Sequence, residues 1–143
     1  YASRLNDICK MYVKEAEDGD ILKYGVVYIA PGGYHMRVLK RGKELYLSCI
    51  EENKVNGHMP SVDVLFESIA QNVAPKVVAS ILTGMGNDGA LGILHIKNKG
   101  GFTIGQDENS CVVYGMPKVA NEIGGVSTQA SLVDIPKIIM DNV

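Results

Sequence analysis

The stretch from Lys76 to Ala90, KVVASILTGMGNDGA, constrains this chain more than any other. Val77, Val78, Ile81 and Leu82 form a short apolar run without clean alternation, the signature of a parallel strand buried on both faces. Gly84, Gly86 and Gly89 follow closely, enclose one carboxylate, Asp88, and lead into a helix-like run, Ala90 to Leu94. A strand that ends in a glycine-rich turn and continues as a helix is the repeating unit of an open α/β sheet. Such sheets place their sites at the carboxyl ends of the strands.

Read literally, Gly84-Met85-Gly86-Asn87-Asp88-Gly89 is G-x-G-x-x-G, and Asp107 ends the next apolar run, where a ribose-binding acid belongs. A dinucleotide or other nucleotide site is therefore one reading. Asp88 opposes it, because an anion inside the loop repels the pyrophosphate that the loop N–H groups would cradle. A second reading makes Asp88 the purpose of the loop: the glycines allow a sharp turn with exposed N–H groups, and the carboxylate orients a partner side chain. A third makes Asp88 a helix cap in a tight strand-to-helix turn.

The remaining composition narrows the field. At 143 residues the chain is one domain's worth, able to bury about two-thirds of its unfolded surface. A net charge of −2 carries no electrostatic footprint for nucleic acid or membrane. No apolar run approaches the length of a membrane-spanning helix. Cys9, Cys49 and Cys111 are widely spaced and read as reduced thiols, while His35, His58 and His95 lack metal-site spacing; no cofactor or metal is expected.

Taken in order, Leu5, Ile8, Cys9 and Tyr12 fall at helical spacing, and Glu15 to Asp20 reads as a solvated polar turn. Gly25 to Ala30 is a strand closed by Pro31-Gly32-Gly33; His35 just beyond can face a cleft, although a lone histidine is more often structural. Met36–Lys40 and Glu44–Ile50 flank Arg41-Gly42-Lys43 as a hairpin with a three-residue loop. Ser61 opens a helix whose stripe is Val62, Leu65, Phe66, Ile69 and Val73, stopped by Pro75. After the glycine turn come a helix from about Asp88 to Asn98, a strand at Phe102–Ile104 and a helix from Met116 to about Ile123. A brief strand at Gly124–Ser127 and a closing helix at Ile135–Met140 complete the chain. The fold class expected is α/β, a doubly wound, mostly parallel, Rossmann-like sheet with helices on both faces and one antiparallel hairpin.

Several phrases carry a family resemblance. Ile81 to Ala90, Gly101 to Glu108 and Ser110 to Pro117, with Lys14 to Asp20, Tyr28 to Gly33 plus His35-Met36, and Pro60 to Phe66, resemble the chemotaxis protein-glutamate methylesterase catalytic domain in the same order. The resemblance covers nearly the whole chain. It implies a cytoplasmic enzyme that hydrolyses glutamate methyl esters, and deamidates certain glutamines, on the cytoplasmic helices of chemoreceptors. It implies a Ser-His-Asp mechanism in which Asp88 is the acid and the Met85 backbone N–H helps to bind the oxyanion.

The family's nucleophilic serine and base histidine lie in upstream phrases that this sequence does not contain, and its receiver domain is not here either. His35 precedes a Met but matches a later family phrase, and Ser110 lies in a phrase of its own, so neither replaces the missing pair. Beginning at Tyr1 without an initiator Met, residues 1–143 read as the carboxyl-terminal part of one catalytic domain, and its first partner is the missing amino-terminal part of that domain. Alone, it is expected to be inactive, and either to self-associate through uncovered strand edges or to be marginally stable. A non-catalytic interaction fragment is the remaining alternative.

Overall fold

A computed structural model describes all 143 residues, which divide into two compact units, Tyr1–Ser61 and Val62–Val143. In the first unit, helix α1 (Ala2–Ile8) is followed by strands β1 (Tyr12–Glu15) and β2 (Val26–Ile29), which pair in parallel. Strands β3 (His35–Arg41) and β4 (Glu44–Ile50) form an antiparallel hairpin. The sequence reads as helical as far as Tyr12, yet α1 stops at Ile8 and Tyr12 opens a strand. No α1 residue is buried, so its periodicity has no core to bind, whereas Val13 becomes buried once β1 pairs with β2.

The acidic turn after β1 is more than a solvated surface. Asp18 Oδ1 accepts the Cys49 N–H at 2.9 Å, and Asp20 Oδ2 accepts the Glu17 N–H at 3.0 Å. That N–H, and after it the Lys14 ammonium 2.9 Å from the same oxygen, hold the Asp20 carboxyl below its ordinary range. The hairpin loop is also tighter than three residues. Arg41 pairs with Glu44, leaving Gly42-Lys43 as a two-residue turn, with the positive φ of 61° on Gly42 that a type II′ turn needs at its first position.

In the second unit, helix α2 (Val62–Asn72) precedes β5 (Val78–Ile81), α3 (Ala90–Asn98), β6 (Phe102–Gln106), α4 (Met116–Glu122), β7 (Thr128–Ala130) and α5 (Ile135–Asp141). The strands form a parallel sheet in the order β5-β6-β7, so β6 is central and its burial is nearly complete. The last strand begins beyond the expected Gly124–Ser127. Gly124 still turns the chain with φ 86°, and Ser127 N–H only then reaches Thr103 O at 3.0 Å.

Ile93 and Ile96 of α3 are fully buried against Ala70, Ala79, Ile81, Ala120 and Val126, with Phe66, Val77 and Met116 packed around them. Each such isoleucine contributes about 1.5–3 kcal/mol through burial. Helices α2 and α3 meet closely at Gly92, whose N–H donates to Asp63 Oδ1 at 2.8 Å. A Cβ there would stand 2.6 Å from Phe66 Cβ and 3.1 Å from Asp63 Oδ1. Gly92→Ala is therefore expected to cost roughly 1–3 kcal/mol, despite alanine's better helix propensity. Urea denaturation should show a lowered midpoint with unchanged slope; an unchanged midpoint would mean that the helices part freely.

Candidate active site

The loop from Leu82 to Gly89 leaves the carboxyl end of β5 and delivers the chain to α3. Its first residues are tied to the segment before α4. Thr83 Oγ1 donates to Val113 O at 3.1 Å and accepts Val113 N–H at 2.9 Å, and Gly84 N–H donates to the same carbonyl at 3.1 Å. Gly84 O then accepts two N–H groups from the start of α4, Gly115 at 3.1 Å and Met116 at 2.8 Å.

This carbonyl shares a peptide plane with the Met85 N–H. In a planar trans peptide the two point in opposite directions, so anchoring the oxygen also aims the N–H. The Met85 N–H has no acceptor within the chain, and the residue is 80% exposed. A backbone donor held at its far end and left open at its near end is what an oxyanion site requires.

Asp88 lies further along the same loop and is only 5% exposed. Its Oδ2 accepts the Val62 N–H at 2.7 Å and its Oδ1 the Asp63 N–H at 3.2 Å. These are the first two N–H groups of α2, which the helix cannot satisfy internally, and the positive end of the helix favours the carboxylate. The capping reading is thus correct in kind but for a different helix. The cap position of Asp88's own helix, α3, is held by Gly89, with φ 93° and no side-chain hydrogen bond. Gly89 also lets the loop press on the start of α2, since a Cβ there would lie 2.7 Å from Val62 Cγ1.

The acid of the nucleotide reading is engaged locally. Asp107 Oδ1 accepts both the Ser110 N–H at 3.0 Å and the Ser110 hydroxyl at 2.6 Å. The Ser110 oxygen in turn accepts the Leu132 N–H at 3.1 Å and the Gln106 amide at 3.2 Å, which fills its hydrogen-bonding capacity. Neither histidine of interest is placed as a base. His95 Nδ1 pairs with Glu67 Oε1 on the surface. Fully buried His35 accepts the Ser61 N–H on Nδ1 at 3.2 Å, so Nε2 carries the proton and donates to Asn53 O at 2.8 Å.

One buried side chain at this end of the sheet escapes sequence reasoning. The Gln106 amide accepts the Thr83 N–H on Oε1 at 2.7 Å and donates to Ser110 O at 2.9 Å. The available signal was a large polar amide directly after the strand run Phe102–Gly105.

Comparison with known proteins agrees with this architecture. The family model described as CheB methylesterase matches residues 1–139. A protein-glutamate methylesterase/protein-glutamine glutaminase 2 from Syntrophomonas wolfei is 54% identical over 132 residues, covering 92% of this chain and 39% of the relative. A protein-glutamate methylesterase/protein-glutamine glutaminase from Archaeoglobus fulgidus is 45% identical over 139 residues, covering 97% of this chain and 40% of the relative. The chain therefore spans about two-fifths of the length of these curated relatives. The crystal structure of the Thermotoga maritima CheB methylesterase catalytic domain superposes with a TM-score of 0.95 at 37% identity, over 99% of this chain and 75% of that one. The expected α/β fold is thereby met, and the chain belongs to the CheB methylesterase family.

Proposed function

We propose that this chain supplies the acid and part of the oxyanion site of a protein-glutamate methylesterase acting on methylated glutamates, and on certain glutamines, in the cytoplasmic helices of chemoreceptors. The observation that carries the reading is Asp88. It is a buried carboxylate with both oxygens oriented by backbone N–H groups, on the same loop that presents the Met85 N–H.

A serine and a histidine from the amino-terminal part of the catalytic domain complete the mechanism. The serine oxygen attacks the ester carbonyl while the imidazole takes its proton, and Asp88 accepts the imidazole Nδ1–H and balances the imidazolium. The Met85 N–H stabilises the charge on the former carbonyl oxygen. Methanol, or ammonia from a glutamine, leaves with the proton from the imidazolium. Water then cleaves the acyl-serine by the same relay, giving the glutamate.

Methanol release from methylated receptor tests this directly. Residues 1–143 alone should release none above background, whereas the same residues joined to the segment carrying the family's serine and histidine should turn over. Turnover by the isolated chain at a rate near that of the joined protein would overturn the assignment.

A further inference from the structure

We propose that Gln106 is a positioning residue for the oxyanion site, holding the Met85 N–H in place through Thr83 and Gly84. This rests on the reading of Met85 given above. The Gln106 side chain is fully buried, where an amide is costly unless its groups are paired. It stands at the last position of β6, just beyond the final β5–β6 pairing of Ile81 with Gly105. There the side chain takes over from the sheet ladder. Its Oε1 accepts the Thr83 N–H at 2.7 Å, so β5 can leave the sheet with that donor satisfied.

The other end of the amide braces the opposite wall. Nε2 donates to Ser110 O at 2.9 Å and to Ser110 Oγ at 3.2 Å, at the head of the segment leading to Gly115 and Met116. Those two residues supply the N–H groups that hold Gly84 O. One buried amide thus fixes both the residue before Gly84 and the segment that clamps the Gly84 carbonyl. The peptide it steadies is the one whose N–H faces the oxyanion. Misplacement by about 1 Å at such a donor can cost about 100-fold in rate.

The test is made in a complete catalytic domain containing this sequence, with kcat, KM and melting temperature measured for each variant. Gln106→Met, close in volume but without the amide, should lower kcat about 10- to 100-fold and leave KM within about threefold. Gln106→Glu keeps an acceptor for the Thr83 N–H and should recover at least about tenfold of that loss. Thr103→Val removes a fully buried hydroxyl of the same strand, which donates to Gly125 O and accepts the Ser127 N–H, yet leaves every Gln106 bond, so its melting temperature should fall while kcat stays within about threefold. Met85→Pro deletes the proposed donor and should reduce kcat about 100-fold or more.

Parallel losses of kcat in Gln106→Met and Thr103→Val, or a Glu variant no better than Met, would overturn the role of Gln106. Should Gln106→Met not melt cooperatively, Gln106→Glu decides against the parent: kcat within about tenfold supports the role and a larger loss overturns it. Full activity in Met85→Pro would remove the oxyanion reading and this proposal with it. Loss in Met85→Pro with none in Gln106→Met would remove this proposal alone.

Discussion

Asp88→Asn, made in a complete catalytic domain containing this sequence, should lower kcat about 10⁴-fold, or roughly 5.5 kcal/mol of barrier. The substitution keeps size and shape. It replaces a carboxylate that can only accept with an amide that can turn a donor toward the imidazole, favouring the wrong tautomer. The imidazolium also loses its counter-charge. KM should hardly change, because the relay acts in the transition state rather than in receptor binding. A second, smaller effect follows from the structure. Asparagine has one acceptor oxygen for the two N–H groups of Val62 and Asp63, so the cap on α2 weakens by roughly 1–2 kcal/mol. Asp107→Asn is the control: its remaining oxygen can still accept from Ser110, and turnover should stay within a few-fold. If Asp88→Asn melts earlier but turns over normally, Asp88 is a cap for α2 and nothing more.

Gly115→Ala should lower kcat about 10²- to 10³-fold, the usual cost of losing one oxyanion donor. The residue sits at φ −110°, which alanine adopts freely, so the effect comes from contact and not from dihedral strain. An added Cβ would lie 2.5 Å from Gly84 O, 3.1 Å from Gly86 N and 3.2 Å from Met85 Cα. All three are main-chain atoms, which cannot swing aside as a long side chain could. The loop must shift, and the two N–H groups that hold Gly84 O lose their alignment. Gly32→Ala, where an added Cβ meets nothing within 4 Å, should leave kcat unchanged. Normal kcat in Gly115→Ala would mean that the Gly84–Met85 peptide does not need its clamp.

The amino-acid sequence by itself determined what depends on neighbours along the chain. The apolar run at Val77–Leu82, the glycines after it and the helix to Asn98 are local signals, and β5, the loop and α3 lie there. The alternation of strand and helix in the second half, and the hairpin at His35–Ile50, were legible for the same reason. Asp88 and Met85 were singled out by their loop and by family resemblance. Only the tertiary structure decided the rest. Tyr12 belongs to a strand because β2 offers it a partner, although its spacing from Ile8 and Cys9 reads as helical. Asp88 caps a helix whose second residue lies 25 positions earlier, and Gln106 accepts an N–H from a residue 23 positions away. A hydrogen bond's direction depends on where two distant backbones meet, and no local pattern of residue types encodes that meeting.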